Sequence, residues 1–237
     1  MTVVLAACSG GGGGRAVAAD ARLGDECSAV PEGARRVTFA GADGERLGAA
    51  LVGSPTAARA VVVAHGGSQT LCDWLGIAAS LASRADAVVL VPDRRGVGSS
   101  SHAQTDAADA PDDLLRAAAT LDRRRVTYLG SSAGGPIALA AALRADDVCT
   151  VALVSTASVP DVPAARLAAF DAPLFTVVEA GTERFLSTSR ELARLAPAAA
   201  GAGRQVEVAG TTDHSSGLVE NHPEALDLLV AAVTACR

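Results

Sequence analysis

The sequence predicts an α/β domain: a mostly parallel, doubly wound sheet with an antiparallel hairpin at its start and no large lid. Three observations carry this. From Ala60 onward, short β-branched runs alternate with alanine- and leucine-rich stretches of helical length. The strand-like runs are apolar at consecutive positions, the pattern of strands covered by helices on both faces. Ahead of them, two extended runs flank the turn Gly41-Ala42-Asp43-Gly44.

Taken in order, the hairpin strands are expected at Arg35–Ala40 and Leu47–Val52. Strand Ala60–Ala64, a helix near Trp74–Arg84, strand Ala87–Val91, a helix near Asp112–Asp122 and strand Val126–Leu129 follow. Helix Pro136–Arg144 opens on a proline whose missing N–H costs nothing in a first turn. Strands Thr150–Ser155 and Leu174–Val178, helix Thr188–Leu195, strand Gln205–Val208 and helix Pro223–Ala235 complete the pattern. Only Thr156–Pro173 separates two of these strands, too little for a lid domain, so an open, shallow site is expected.

At 237 residues with 49% hydrophobic content, the chain suffices for one well-buried domain, expected to be a monomer. A formal net charge of -6 argues against a nucleic-acid partner. The run Arg123-Arg124-Arg125 reads instead as the solvated end of a helix, where cations complement the dipole. No apolar stretch is long enough to span a membrane. Leu5-Ala6-Ala7-Cys8, followed by Ser9 and a glycine run, resembles a bacterial lipoprotein lipobox with a tether behind it. Residues 1–8 are accordingly read as the remnant of a lipoprotein signal, 9–34 as tether and N-terminal extension, and 35–237 as the folded domain. Met1–Ala7 lacks a basic n-region and most of an apolar h-region, so the natural start is expected upstream. On this reading the protein is an extracytoplasmic cell-envelope lipoprotein, held at a membrane through lipidated Cys8.

The chemistry-bearing stretch is Gly130-Ser131-Ser132-Ala133-Gly134, a G-x-S-x-G turn between strand Val126–Leu129 and the helix at Pro136. Small residues on both sides let the backbone make a tight strand-to-helix bend that holds a serine at its apex. Two other stretches belong with it: Val61-Val62-Val63-Ala64-His65-Gly66-Gly67, and Pro92-Asp93-Arg94-Arg95-Gly96-Val97-Gly98-Ser99-Ser100, a D-x-R-G-x-G-x-S turn. Together the three resemble the α/β-hydrolase superfamily of serine hydrolases, over nearly everything from about Arg36 to the C-terminus.

The resemblance implies an α/β-hydrolase fold and cleavage of a carboxylic ester or related acyl bond in a small molecule, through an acyl-serine intermediate and without a cofactor. Acyl transfer, amide cleavage, or binding without turnover on the same scaffold are the alternatives. Ser132 is the implied nucleophile. The family's chain order of nucleophile, acid and histidine selects His214 as base over His65 and His102, which precede the elbow, and over His222 at a helix start. The acid is expected past the strand end after a glycine turn, which favours Glu183, with Glu179 next. The backbone amides of Gly67 and Ala133 are the expected oxyanion donors, with Ser68 able to supplement or replace Gly67. Trp74 reads as a packing residue, and Asp93 and Arg95 as shaping their turn, with Arg95 alternatively facing the cleft. No grouping of His, Cys and carboxylate has metal-ligand spacing, and no phosphate-binding glycine loop occurs.

Without Cys8, the cysteines Cys27, Cys72, Cys149 and Cys236 form an even set. Cys149 precedes a strand and Cys236 ends the last helix, and a right-handed βα fold places both on the face opposite the active site. The expected pairs are Cys149 with Cys236 and Cys27 with Cys72. With 3% aromatic residues and no lid, small or medium acyl groups are expected.

Overall fold

A computed structural model describes residues 18–104, 106, 108–122, 125–201 and 204–236. Cys8, Arg123 and Arg124 lie outside these. The hairpin strands are β1 (Arg35–Ala40) and β2 (Arg46–Val52). Six further strands follow: β3 (Arg59–Ala64), β4 (Ala87–Pro92), β5 (Val126–Ser131), β6 (Val148–Val154), β7 (Leu174–Glu179) and β8 (Gln205–Val208). The helices are α1 (Leu23–Glu26), α2 (Leu75–Ala85), α3 (Ala110–Ala119), α4 (Gly134–Ala142), α5 (Ala164–Ala168), α6 (Glu183–Leu195), α7 (Ser216–Asn221) and α8 (Pro223–Thr234). Short 3-10 turns cover Leu71–Trp74 and Gly98–Ser100.

The eight strands form one sheet in the order β1-β2-β4-β3-β5-β6-β7-β8. β1 pairs antiparallel with β2 and β2 antiparallel with β4, while every other pair is parallel. The hairpin therefore forms one edge, as expected from its turn. Among the described residues, no large extra domain interrupts the sheet.

Alternation along each strand sends successive side chains to opposite faces. Val61 and Val63 join Val89, Leu129, Val154 and Val177 under Trp74 and Leu81 on one face, packed with Leu229 and Val233 of α8. Val62 and Ala64 join Leu90, Tyr128, Val151 and Leu174 on the other, beneath Leu114 of α3, Leu139 of α4 and Leu192 of α6. Each buried Leu or Val on these faces contributes roughly 1.5–3 kcal/mol relative to exposure, an upper figure because unfolded chains already bury some apolar surface.

Two disulfides join Cys27 with Cys72 and Cys149 with Cys236, the pairs anticipated from the sequence. The first fixes the extension. Leu23 and Cys27 are buried in the same core as α2 and α8, and Arg36 Nε donates to Ala21 O at 2.9 Å while its guanidinium pairs with Glu26. From residue 18 onward the N-terminal extension is thus part of the folded body rather than a tether. Among the described residues, no helix is long and apolar enough to cross a membrane.

Candidate active site

Parallel strands deliver their C-terminal ends to one edge of the sheet, the place where open α/β sheets hold ligands. His65 follows β3, Asp93 follows β4, Ser132 follows β5, Ser155 follows β6 and Glu179 ends β7. That shared edge is where the polar residues of this chain converge.

The elbow is built by sterics. Ser132 has φ +50°, a left-handed conformation that a side-chain-bearing residue adopts only when its surroundings enforce it. A Cβ on Gly134 would collide with the Ala64 carbonyl oxygen, and one on Gly130 with Gly134 O and Ala138 Cβ. Glycine at both positions lets β5 and α4 close on β3, which pushes the Ser132 side chain out, half-buried, over the sheet edge. Ser155 (φ +48°) and Ser215 (φ +60°) also have positive φ and also sit in this site.

The Ser132 hydroxyl donates to His214 Nε2 at 2.9 Å, and His214 Nδ1–H donates to Glu179 Oε1 at 2.7 Å. Glu179 is fully buried. Its other oxygen accepts the Ser155 hydroxyl at 2.5 Å, and Ser155 Oγ in turn accepts the Ser215 amide at 3.2 Å. A buried carboxylate is costly unless paired and hydrogen-bonded, and this one is both. Phe185 packs against the imidazole, with ring centroids 4.2 Å apart.

The expectation for the acid is therefore corrected. Glu183 is exposed at the first turn of α6, and Glu179 is the carboxylate in contact with His214. The strand runs one residue further than its apolar pattern suggests, to Glu179, and that carries a carboxylate straight to the sheet edge. The glycine turn beyond it is spent on packing: Gly181 N donates to Thr211 O at 3.0 Å. A signal for this was present, since a glutamate continuing a strand buried on both faces is an ionisable group in a position that demands a partner.

The expected oxyanion donors lie next to one another: a Cβ built on Gly67 would sit 3.6 Å from Ala133 Cβ. Among the described residues neither amide donates to a protein acceptor. The Gly66–Gly67 peptide is held from its other side, because Gly66 O accepts both His65 Nδ1–H at 2.9 Å and Arg94 Nη2–H at 3.0 Å. In a trans peptide the N–H points opposite the C=O, so these two bonds aim the Gly67 amide away from them.

His65 is fully buried, and burial pushes its pKa down to about 4. The neutral ring fits its partners, donating through Nδ1 and accepting the Arg94 amide at Nε2, 3.2 Å away.

Gln69 ties the two loops together. Its Oε1 accepts from Gly66 N at 3.0 Å, Trp74 Nε1 at 3.0 Å and Ser215 Oγ at 2.7 Å, and its Nε2 donates to Ser216 Oγ at 2.7 Å. Ser131 Oγ hydrogen-bonds Ser215 Oγ as well. None of Gln69, Ser155, Ser215 or Phe185 belongs to a motif, and spacing alone could not have found them.

Asp93 shapes its turn as expected, accepting Ser99 N at 2.7 Å, Ser99 Oγ at 2.6 Å and Leu71 N at 2.7 Å. Arg95 is clamped between Asp43 and Asp113, both at contact distance. His102 and His222 stand elsewhere, bonded to Arg46 O and Asp213 respectively.

A sequence profile of the α/β hydrolase fold matches residues 59–190, more than half of the chain. The chain belongs to the α/β hydrolase fold family. Solved α/β structures superpose on it accordingly. An esterase from Pyrobaculum calidifontis matches with TM-score 0.67 at 18% identity, covering 86% of this chain and 85% of that one. Carboxyl esterase 2 from the fungus Tuber melanosporum matches with TM-score 0.69 at 14% identity, covering 86% of each chain. A dienelactone hydrolase from Anabaena variabilis matches with TM-score 0.65 at 19% identity, covering 86% of this chain and 95% of that one. No curated protein sequence matches this α/β-hydrolase chain.

Proposed function

We propose that this α/β hydrolase is a serine esterase, cleaving a carboxylic ester of a small molecule through an acyl-Ser132 intermediate. The observation that carries the reading is the unbroken chain Ser132 Oγ to His214 Nε2 to Glu179 Oε1, at 2.9 and 2.7 Å. His214 takes the Ser132 proton as Oγ attacks the acyl carbon, then passes it to the departing alcohol. Glu179 holds the tautomer with the proton on Nδ1 and stabilises the imidazolium that forms. The Gly67 and Ala133 amides receive the oxyanion of each tetrahedral intermediate, worth about a hundred- to thousandfold in rate per donor. Water then attacks the acyl-enzyme with His214 as base. The esterase names of the superposed proteins favour ester over amide substrates, and the absence of a large extra domain favours small or medium acyl groups.

A fluorophosphonate probe tests this directly. Stoichiometric labelling of the folded protein that Ser132→Ala abolishes, together with hydrolysis of p-nitrophenyl esters, is the expected result. Folded protein that neither labels nor turns over would leave a binding protein on a hydrolase scaffold. Two disulfides fit an oxidising compartment and support extracytoplasmic residence, with lipidation at Cys8 as the proposed anchor. Radiolabelled palmitate incorporation that Cys8→Ala removes, in cells expressing the full-length gene, tests the anchor.

A further inference from the structure

Adjacent arginines in the turn after β4 have opposite surroundings. Arg95 holds the arginine position of the D-x-R-G-x-G-x-S turn and is neutralised by Asp43 and Asp113. Arg94 holds the variable position and has no carboxylate within ion-pair distance among the described residues. Its Nη2 donates to the Gly66 and Gly67 carbonyls, at 3.0 and 2.9 Å, while its Nε is buried with no hydrogen-bond partner. Its Nη1 bonds no protein group described. Burial pulls its pKa down from the usual arginine value, opposed only by Asp93. A guanidinium in this condition is a half-desolvated cation with donors left over, and buried charges in native proteins are ordinarily paired.

Arg94 also lines a cavity of about 310 Å³, walled by Phe39, Leu47, Ala64, Leu114 and Ile137. Ser132 is not in its wall, yet the cavity begins beside the oxyanion loop. Ala64 precedes His65 and Gly66, Arg94 touches Gly67, and Ile137 lies one helical turn beyond Ala133 on the same face of α4. An ester whose carbonyl oxygen rests on the Gly67 and Ala133 amides therefore has one arm within reach of Arg94 and the apolar walls.

Three carboxylates share the lining. Asp113 is spent on Arg95, and Asp93 accepts from Leu71 and Ser99. Asp106 is exposed and caps its own turn through the Ala108 amide at 2.9 Å. Of the two arginines in this lining, Arg95 is thus ion-paired at contact distance and Arg94, among the described residues, is not.

Resting on the esterase reading, the geometry points to an anionic substrate: an ester in which one arm is short, apolar and ends in a carboxylate that pairs with Arg94. A charge-assisted hydrogen bond from Nη1, the guanidinium nitrogen neither buried nor committed to the Gly66 and Gly67 carbonyls, supplies the attraction.

Matched ester pairs test this, in the wild type and in Arg94→Leu and Arg94→Lys. A carboxylate on the acyl arm is probed by p-nitrophenyl hydrogen glutarate against p-nitrophenyl pentanoate. One on the alcohol arm is probed by acetoxybenzoate against phenyl acetate. Because Arg94 also braces the oxyanion loop, its loss slows every ester, and the ratio of kcat/KM within a pair is what isolates recognition. The expected result is a preference for the anionic member of one pair, reduced about tenfold to a hundredfold by Arg94→Leu and less by Arg94→Lys. A wild type that favours the neutral member of both pairs, or a preference that Arg94→Leu leaves intact, overturns the inference while sparing the esterase. Turnover of no ester at all, with no fluorophosphonate labelling, overturns the esterase reading itself.

Discussion

The elbow after β5 and the acid-bearing end of β7 bring side chains to the same imidazole, but different forces hold them. At the elbow the constraint is local and steric: Gly130 and Gly134 remove atoms that would collide with Ala64 and Ala138, and Ser132 is left in a left-handed bend. At β7 the constraint is polar and distant in sequence. Glu179 is held by Ser155, 24 residues before it, and by His214, 35 residues after it. The Ser132 hydroxyl is positioned by what its neighbours lack, and the Glu179 carboxylate by what remote segments supply.

The largest effect that separates these regions is expected from the two glutamates. Glu179→Gln keeps the shape but offers His214 Nδ1–H a rotatable amide in place of a carboxylate, and kcat should fall about a thousand- to ten-thousandfold. Glu183→Gln should leave kcat within about twofold, since the side chain is exposed at a helix start. Steady-state kinetics on one ester decides between them, and the reverse ranking would return the acid role to Glu183.

Gln69 sharpens the comparison from the polar side. Gln69→Leu leaves Gly66 N–H, Trp74 Nε1–H and the Ser215 hydroxyl without their acceptor. At about 1–3 kcal/mol for each buried donor stranded, partly relieved by local rearrangement, a loss of about 3 kcal/mol in urea denaturation is expected. A variant as stable as the wild type would mean that the loop holding Gly66 and the loop holding Ser215 keep their shapes independently.

A comparable but graded effect is expected from acid. Folding favours the neutral form of His65, because burial pushes its pKa down to about 4 from the 6.5 of an ordinary histidine. The unfolded chain binds the extra proton between these values, so this contribution is complete above about pH 6.5 and is lost as pH falls through about 4. The amount is on the order of 3 kcal/mol. Denaturant midpoints measured across that range should decline more steeply for the wild type than for His65→Gln; equal slopes would show that the ring is not held neutral by burial.

Much of this was legible in the residues. Every strand expected from the apolar runs occurs, because covering a sheet on both faces forces consecutive apolar positions, and few other structures do. The hairpin followed from its Gly-containing turn and the elbow from strand, small residues and helix in that order. Boundaries moved by a few residues, as at α6, which begins at Glu183 rather than Thr188. The short α5 and α7 carried no periodic pattern long enough to read. Spacing past the strand end points to Glu183, whereas the charge that closes a strand buried on both faces, Glu179, is the one that must find a partner.

What the sequence determined by itself was the layered sheet and the bend that presents Ser132. Both depend on contacts between near neighbours and on the alternation of faces, which the order of residues encodes directly. The tertiary structure alone decided which carboxylate reaches His214, that Gln69 links two loops 146 residues apart, and that of two adjacent arginines one is neutralised and the other is not. Hydrogen bonds and charge pairing act over a few ångströms whatever the separation along the chain, so their partners are fixed only once the strands have set which ends meet.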